Sequence, residues 1–203
     1  MEEKELKIIS GASKVFMQYG IKSVNMDDMA RHLGVSKKTL YLYVNDKEEL
    51  VKKSMDAFCE IEDAQISEIA SRNLNAIDES LEIMKWVLSM LQNLHPSIIY
   101  DLEKYHPEVF HVIKNNRNSA IYACMTSNMI KGQKEGYYRK DFNPEIIVRI
   151  YMEHMNILLD HNLFPQDKWK LVDVYKESFI YHIRGIASQK GIDYLKEKSK
   201  YIK

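Results

Sequence analysis

The chain has 203 residues, of which 45% are hydrophobic, and its 29 Lys and Arg residues balance 29 Asp and Glu residues. The apolar content allows one large domain, or a small domain joined to a medium one, and the absence of a run of roughly 18 apolar residues excludes a membrane span. The charged start is unlike a signal peptide and two distant cysteines favour neither disulfides nor a zinc site, so we expect a cytoplasmic protein without metal or cofactor.

Apolar residues recur with a helical period through almost the whole chain, and no hairpin signal appears. This pattern predicts an all-α fold of about nine helices. Their approximate bounds are 8–19, 26–33, 37–44, 47–70, 77–91, a short helix after Pro96, 107–131, 144–162 and 167–189. The charged tail that begins at Asp193 is expected to fray.

Local signals mark where several of these helices begin and end. Side chains that can cap a following helix are Asn25, Ser36, Asp46 and Asn143. Glycines that can end a helix are Gly20, Gly34, Gly132 and Gly136. The stops and starts are closest together between residues 20 and 46, which predicts very short helices there.

Residues 25–44 fit the description of a helix-turn-helix, with two short helices joined by a glycine turn and preceded by a packing helix. Leu40 and Val44 are predicted to face inward. Lys37, Lys38 and Thr39 fall in the first turn of the second helix, where base contacts concentrate in such motifs. The alternative is a solvated helix that carries two lysines by chance, and the small basic excess of residues 1–47, eight against six, does not decide between them.

Residues 11–55, GASKVFMQYGIKSVNMDDMARHLGVSKKTLYLYVNDKEELVKKSM, resemble the amino-terminal DNA-binding segment of the tetracycline-repressor (TetR/AcrR) family of bacterial transcriptional regulators. The matching features are ASKVFMQYG, MDDMARHLGVSKKTLYLY and DKEEL, which together cover about a quarter of the chain. Beyond residue 60 the family has little common sequence, so there the resemblance implies architecture only.

This resemblance implies a helix-turn-helix DNA-binding domain of residues 1–46 and a ligand-binding and dimerisation domain of residues 47–203. It also implies a homodimer that binds a palindromic double-stranded operator and, most simply, acts as a repressor released by a small-molecule effector. The DNA-contacting positions carried over from the family are Lys37, Lys38, Thr39, Tyr41, Tyr43 and Lys47. Lys37 is interpreted as a base reader, and Thr39, Tyr41 and Lys47 as phosphate contacts. Asp27 departs from the pattern, because some members carry a basic residue there.

Methionines and aromatic residues of the body indicate a pocket for a largely apolar effector. The candidates are Met84, Trp86, Met90, Tyr100, Tyr105, Phe110, Tyr122, Met125, Tyr151 and Met155. Two acidic residues near these helices, Asp101 and Glu153, are interpreted either as partners of a cationic ligand or as solvated side chains.

Apolar stripes on the last two predicted helices exceed what one body needs to cover, which favours an isologous dimer. The predicted interface residues are Ile147, Ile150, Tyr151, His154, Leu158, Val172, Tyr175, Phe179, Ile183 and Ile186.

Two other classes of protein remain open: a helical enzyme or small-molecule carrier with a vestigial helix-turn-helix, and a protein-interaction adaptor. Two Glu-x-x-His pairs, Glu103/His106 and Glu108/His111, are too close in sequence to face each other across a di-iron bundle. His154 and His161, about 10 Å apart along a helix, are too distant to share a metal. The sequence contains no HExxH, GxSxG or glycine-rich phosphate loop.

Overall fold

All regular elements of the computed structural model are helices, within residues 3–160, 162–165 and 167–198, which are the residues that it describes. The helices are α1 (Glu3–Tyr19), α2 (Met26–His32), α3 (Lys37–Leu40), α4 (Lys47–Ser71), α5 (Ala76–Gln92), α6 (Ile98–Tyr105), α7 (Pro107–Glu135), α8 (Pro144–Leu158), α9 (Leu171–Ile186) and α10 (Gln189–Glu197). The predicted all-α fold is confirmed. In the described part of the chain, no helix has the length and apolarity that a membrane crossing needs.

The chain divides into two compact units, of which unit 1 comprises Met1–Gln65 and Asn93–Arg117 and unit 2 comprises Ile66–Gln92 and Asn118–Lys203. Unit 1 therefore contains α6 and the start of α7 as well as the helix-turn-helix. The predicted boundary after residue 46 does not follow this packing, and as a division of functions it stays a prediction.

The core of unit 1 is formed by buried apolar side chains at helical spacing. They include Ile8, Ile9, Ala12, Phe16, Met29, Leu40, Leu50, Val51, Met55, Leu102 and Val109. Helices α1 to α4 all contribute side chains to this core. The two helices of the helix-turn-helix are therefore held in place by packing against α1 and α4.

Unit 2 has its own core, in which α9 packs against α5 and α8. Its buried side chains include Ile77, Leu81, Met84, Met129, Tyr138, Val148, Phe179, Ile183 and Leu195. Unit 2 is therefore stabilised by apolar contacts among its own residues.

The third helix is shorter than predicted, because α3 ends at Leu40 and not at Val44. After Leu40 the chain tightens: the N–H of Leu42 donates to the Thr39 carbonyl at 3.2 Å, and the N–H of Tyr43 donates to the Leu40 carbonyl at 3.1 Å. Such three-residue spacing is typical of a closing helical turn. The inward orientation of Leu40 and Val44 is confirmed, with exposed fractions of 0% and 2%.

Gly132 does not end α7, as predicted, but lies inside it. A Cβ at this position would lie only 2.1 Å from the ring of Tyr138, so glycine is required for close approach of that buried side chain. Gly136, immediately after the last helical residue, provides the stop.

The prediction for the end of the chain was wrong in two respects. The last predicted helix is broken after Ile186 by the extended residue Ala187, which bridges to Tyr138. Ser188 then caps α10 by accepting from the N–H of Gly191 at 3.1 Å, so residues expected to fray are helical up to Glu197. Helix α8 ends at Leu158 rather than near residue 162, and His161 lies outside the described residues.

Candidate DNA-binding surface

The start of α2 is fixed by a reciprocal cap, as predicted. The Asn25 side-chain oxygen accepts from the N–H groups of Asp27 and Asp28, each at 2.9 Å. In return the Asp28 carboxylate accepts from the N–H of Asn25 at 3.3 Å. This capping box satisfies donors that a helix of seven residues would otherwise leave unpaired, so the short α2 keeps a defined start.

The recognition helix α3 is set against α2 by a turn at Gly34, whose φ of +65° lies in the left-handed region that favours glycine. Ser36 caps α3 by accepting from the N–H of Thr39 at 3.0 Å, and its hydroxyl lies 2.8 Å from the Thr39 hydroxyl. With Leu40 anchored in the core, the opposite side of this helix is free to carry polar groups. The cap and the anchor therefore hold the first turn at the surface.

The predicted DNA-contacting side chains are not equally accessible. Lys37, Lys38 and Tyr41 are exposed, whereas Thr39, Tyr43 and Lys47 are partly buried. The side chain of Leu42, which sequence reasoning missed, is 71% exposed and protrudes from the turn after α3. No polar or periodic signal distinguishes it, because its position depends on where α3 ends.

Lys37 is engaged by a neighbour on α2. Its ammonium lies 3.0 Å from the Asp27 carboxylate, and this hydrogen bond and the charge of Asp27 raise the pKa of Lys37. Lys37 is therefore positively charged at neutral pH and is held close to the residue that departs from the family pattern. A pair exposed in this way is weak in water and exchanges easily for a phosphate or base acceptor.

Tyr43 and Lys47, two further predicted DNA contacts, also interact with other parts of the protein. Tyr43 packs against the core of unit 1, and its carbonyl accepts from Lys53 at 2.8 Å. Lys53 also lies 3.1 Å from Glu5 and 3.2 Å from Glu49, so one ammonium joins α1, α4 and the segment after α3. Burial lowers the pKa of Lys47, which the charge of Asp101 opposes.

Asp101 on α6 is neither solvated nor available to a cationic ligand. Its carboxylate is 3% exposed and accepts from the N–H groups of Ile21 and Lys22 at 3.1 and 3.0 Å, and from the Ser97 hydroxyl at 2.9 Å. This clamp fixes the turn between α1 and α2, directly before the Asn25 cap. Sequence reasoning missed it because the partners are 80 residues apart, with no local signal.

The ten predicted effector contacts are divided between the two units. Seven lie in unit 2, where Met84 and Tyr151 are buried, and three lie in unit 1. Of these three, Tyr100 and Tyr105 are exposed, with hydroxyls that accept from Lys104 at 2.5 Å and from Lys22 at 2.8 Å. These two tyrosines form a surface cluster with lysines rather than the wall of an apolar pocket. The other assignments stay predictions.

The predicted interface residues divide between the inside and the outside of unit 2. Five are at most 7% exposed: Tyr151, Tyr175, Phe179, Ile183 and Ile186, of which the last four belong to the core of unit 2. This burial leaves little of these five side chains for a partner to contact, and their assignment to an interface stays a prediction. The apolar side chains that α8 and α9 expose are Ile146, Ile150, Ile157 and Tyr181. Of the original set Ile150 remains outward-facing, and Ile147, His154, Leu158 and Val172 are partly buried.

The members of the Glu-x-x-His pairs have different surroundings. His106 hydrogen-bonds through Nδ1 to Glu48 of α4, while Glu103 and Glu108 point to the surface. Among the described residues, no three His, Cys, Asp or Glu side chains are grouped as they would be around a metal ion.

Comparison with known proteins finds similarity to bacterial transcriptional regulators. Residues 8–53 match the family described as bacterial regulatory proteins, tetR family. YvaF of Bacillus subtilis, an uncharacterized HTH-type transcriptional regulator, is 25% identical over 157 residues, which cover 76% of this chain and 80% of that protein.

Solved structures share the fold at low identity. The reduced form of Escherichia coli NemR has a TM-score of 0.72 at 11% identity, covering 92% of this chain and 98% of that one. The transcriptional regulator FadR from Bacillus subtilis in complex with stearoyl-CoA has a TM-score of 0.65 at 17% identity, covering 89% and 98%. The whole described fold, and not only its amino-terminal part, is therefore similar to that of known regulators.

Proposed function

We propose that the chain, a DNA-binding transcriptional regulator whose residues 8–53 match the TetR family of bacterial regulatory proteins, is a repressor released from a palindromic operator by a small-molecule effector. The observation that carries this proposal is the recognition helix. Its capped first turn presents Lys37 and Lys38 outward while Leu40 is fully buried. A helix held in this way suits the major groove, where lysine donates to guanine acceptors.

The operator is expected to be a palindrome because two copies of the chain form the regulator. In support of a homodimer, Ile146, Ile150 and Ile157 share one face of α8 and are 57%, 48% and 44% exposed. An isologous pairing of these faces sets two recognition helices to read half-sites about one helical turn, roughly 34 Å, apart. Acting on DNA, the protein works in the bacterial cytoplasm.

The effector is expected to bind outside the helix-turn-helix and to have a largely apolar body. Two observations support this. Partly buried methionines and aromatic residues surround the core of unit 2, among them Met125, Met155 and Tyr122. In addition, FadR of Bacillus subtilis was solved with stearoyl-CoA, a ligand with a long apolar chain. Release of DNA requires that the effector bind the DNA-incompetent state more tightly, by about 1.4 kcal/mol for a tenfold loss of operator affinity.

The direct test is selection of bound fragments from bacterial genomic DNA, followed by binding measurements on the enriched sequence and on scrambled controls. We expect one enriched palindrome, bound at least about a thousandfold more tightly than scrambled DNA. Binding without sequence preference would contradict the proposal. So would an enriched site with no inverted repeat, because the dimer would then have no symmetric target. The family gives no support to the alternatives of an enzyme, a carrier or an adaptor.

A further inference from the structure

We propose that Glu62 on α4 is the recognition point for an organic cation, a protonated amine with an apolar body, and that this cation is the effector. The inference rests on the proposed function, since it names the chemistry of the effector, but it places the recognition of the effector's charged end in unit 1 and not in the core of unit 2. Two observations support it: the hydrogen bonding of the Glu62 carboxylate and the negative charge of α4.

The Glu62 carboxylate is buried but only half satisfied. The residue is 5% exposed, and one oxygen, Oε1, accepts from Arg117 of α7 at 3.1 Å. The other oxygen, Oε2, is buried and has no hydrogen-bond partner among the residues that the structure describes. A buried carboxylate oxygen without a donor is costly, and native proteins rarely leave one in this state. An N–H group from a ligand supplies the missing donor.

The charge around Glu62 selects a cation over an anion. Between Lys53 and Arg72, α4 carries five carboxylates and neither lysine nor arginine; the carboxylates are those of Asp56, Glu60, Glu62, Asp63 and Glu68. Such a one-signed segment attracts cations to the site and repels anions. Burial raises the pKa of Glu62, opposed by the charge of Arg117, and a cation at Oε2 would hold the carboxylate in its ionised form.

Apolar side chains precede each member of this ion pair on its own helix. Phe58 and Ile113 stand one helical turn before Glu62 and Arg117 respectively, and both are partly buried. Ile113 also packs against the core of unit 1. Burial raises the pKa of the Cys59 thiol to about 11, so this neighbour stays uncharged at neutral pH. A single polar anchor beside apolar side chains suits a ligand with one charged end.

The test uses three compounds of equal chain length, decylamine, decanol and decanoate, kept below the concentrations at which they aggregate. Calorimetric titration of the full chain is expected to give tighter binding of the amine than of the alcohol, by about tenfold or more, and the weakest binding for the acid. Glu62→Gln keeps the shape and an acceptor for Arg117 but removes the charge. It should abolish the preference for the amine while leaving decanol binding unchanged. Glu60→Gln, at an exposed acid on the same helix, should behave like the unaltered protein.

Equal or stronger binding of decanol or decanoate to the unaltered protein would overturn the proposal without any variant, as would a preference for the amine that survives Glu62→Gln. Operator DNA distinguishes this failure from that of the proposed function. If the amine binds through Glu62 but leaves operator affinity unchanged, the site stands and the effector role fails. If some other compound releases the operator and no amine preference exists, the regulator stands and the Glu62 site fails.

Discussion

Lys37 of the recognition helix and Asp27 of α2 form an ion pair, with 3.0 Å between Nζ and Oδ2, on the exposed side of the helix-turn-helix. The side chain expected to read a base is thus held by a carboxylate in the free protein. To bind a base in the major groove, Lys37 must leave the Asp27 carboxylate and donate to an acceptor on that base. The negative charge of Asp27 also repels the phosphates of DNA. We therefore expect the pair to oppose non-specific binding, and we expect the base contact of Lys37 at an operator to compensate for its loss.

Lys37→Ala is expected to lower operator affinity by about tenfold to a hundredfold and to relax the preference at one base pair of each half-site. Asp27→Asn should have the opposite effect on unrelated DNA, which it should bind more tightly because a repulsive charge is gone. Fluorescence anisotropy with the operator and its single-base variants measures both effects. Lys196→Ala, which removes another exposed lysine that is paired with an aspartate, far along the chain, serves as control. Unchanged affinity and preference in Lys37→Ala would rule out this recognition helix.

Lys47→Ala is expected to weaken binding to all DNA sequences by a similar factor, because a phosphate contact fixes position without reading bases. The slope of log affinity against log salt concentration should fall by about one unit. A titration series in salt, on operator and scrambled DNA, separates this outcome from a loss of specificity. A change confined to the operator would mean that Lys47 reads a base.

Asp101→Ala should destabilise the protein by about 1–3 kcal/mol, because the N–H groups of Ile21 and Lys22 lose a buried acceptor. Asp101→Asn keeps one oxygen and should lose less. Urea denaturation measures the difference, with Glu153→Ala as an exposed acidic control expected to stay within about 0.5 kcal/mol of the unaltered protein. Equal stability of all three variants would show that the clamp is not formed in solution.

The contrast between Asn25 and Asp101 shows what the sequence alone could predict. The caps at Asn25 and Ser36 involve partners two or three residues away, so residue type and spacing were sufficient to locate them. The Asp101 clamp joins positions 80 residues apart, and no period or motif connects them. The same limit applies to α9. Its spacing correctly predicted an apolar stripe, but could not predict which surface covers that stripe. Periodicity finds the buried face of a helix without distinguishing its own core from a second subunit.

His182 predicts a loss of stability at acid pH. Burial, and then repulsion from His154, lowers the pKa of His182 to about 4. The folded protein keeps this ring neutral, whereas the unfolded chain protonates it near pH 6.5. Above about pH 6.5 the ring is neutral in both the folded and the unfolded protein, so it does not lower the free energy of unfolding. As the pH falls towards 4, the unfolded chain binds a proton that the folded protein does not, and the free energy of unfolding falls by up to about 3 kcal/mol.

His182→Phe should retain the packing of a ring against Tyr151, since the two ring centroids lie 4.4 Å apart. It removes the titration and a buried Nε2 that has no hydrogen-bond partner in the described part of the chain. Its free energy of unfolding should depend less on pH between about 7 and 4 than that of the unaltered protein. Urea titrations at several pH values provide the comparison. Identical pH dependence in both proteins would show that His182 is protonated in the folded state or stays solvated.

Ile150→Asp is expected to separate the proposed dimer into monomers, because it places an unpaired charge in the middle of the exposed apolar face of α8. Sedimentation at micromolar concentration should show a dimer for the unaltered chain and a dissociation constant raised by about a hundredfold or more for the variant. Val112→Asp makes the same change at a 51% exposed position on α7 and should remain dimeric. Operator affinity should fall in Ile150→Asp only, since a monomer holds one recognition helix and loses the benefit of two linked half-sites. If the unaltered chain sediments as a monomer and still binds a palindrome tightly, the apolar face of α8 is not a dimer interface and must be covered by something else.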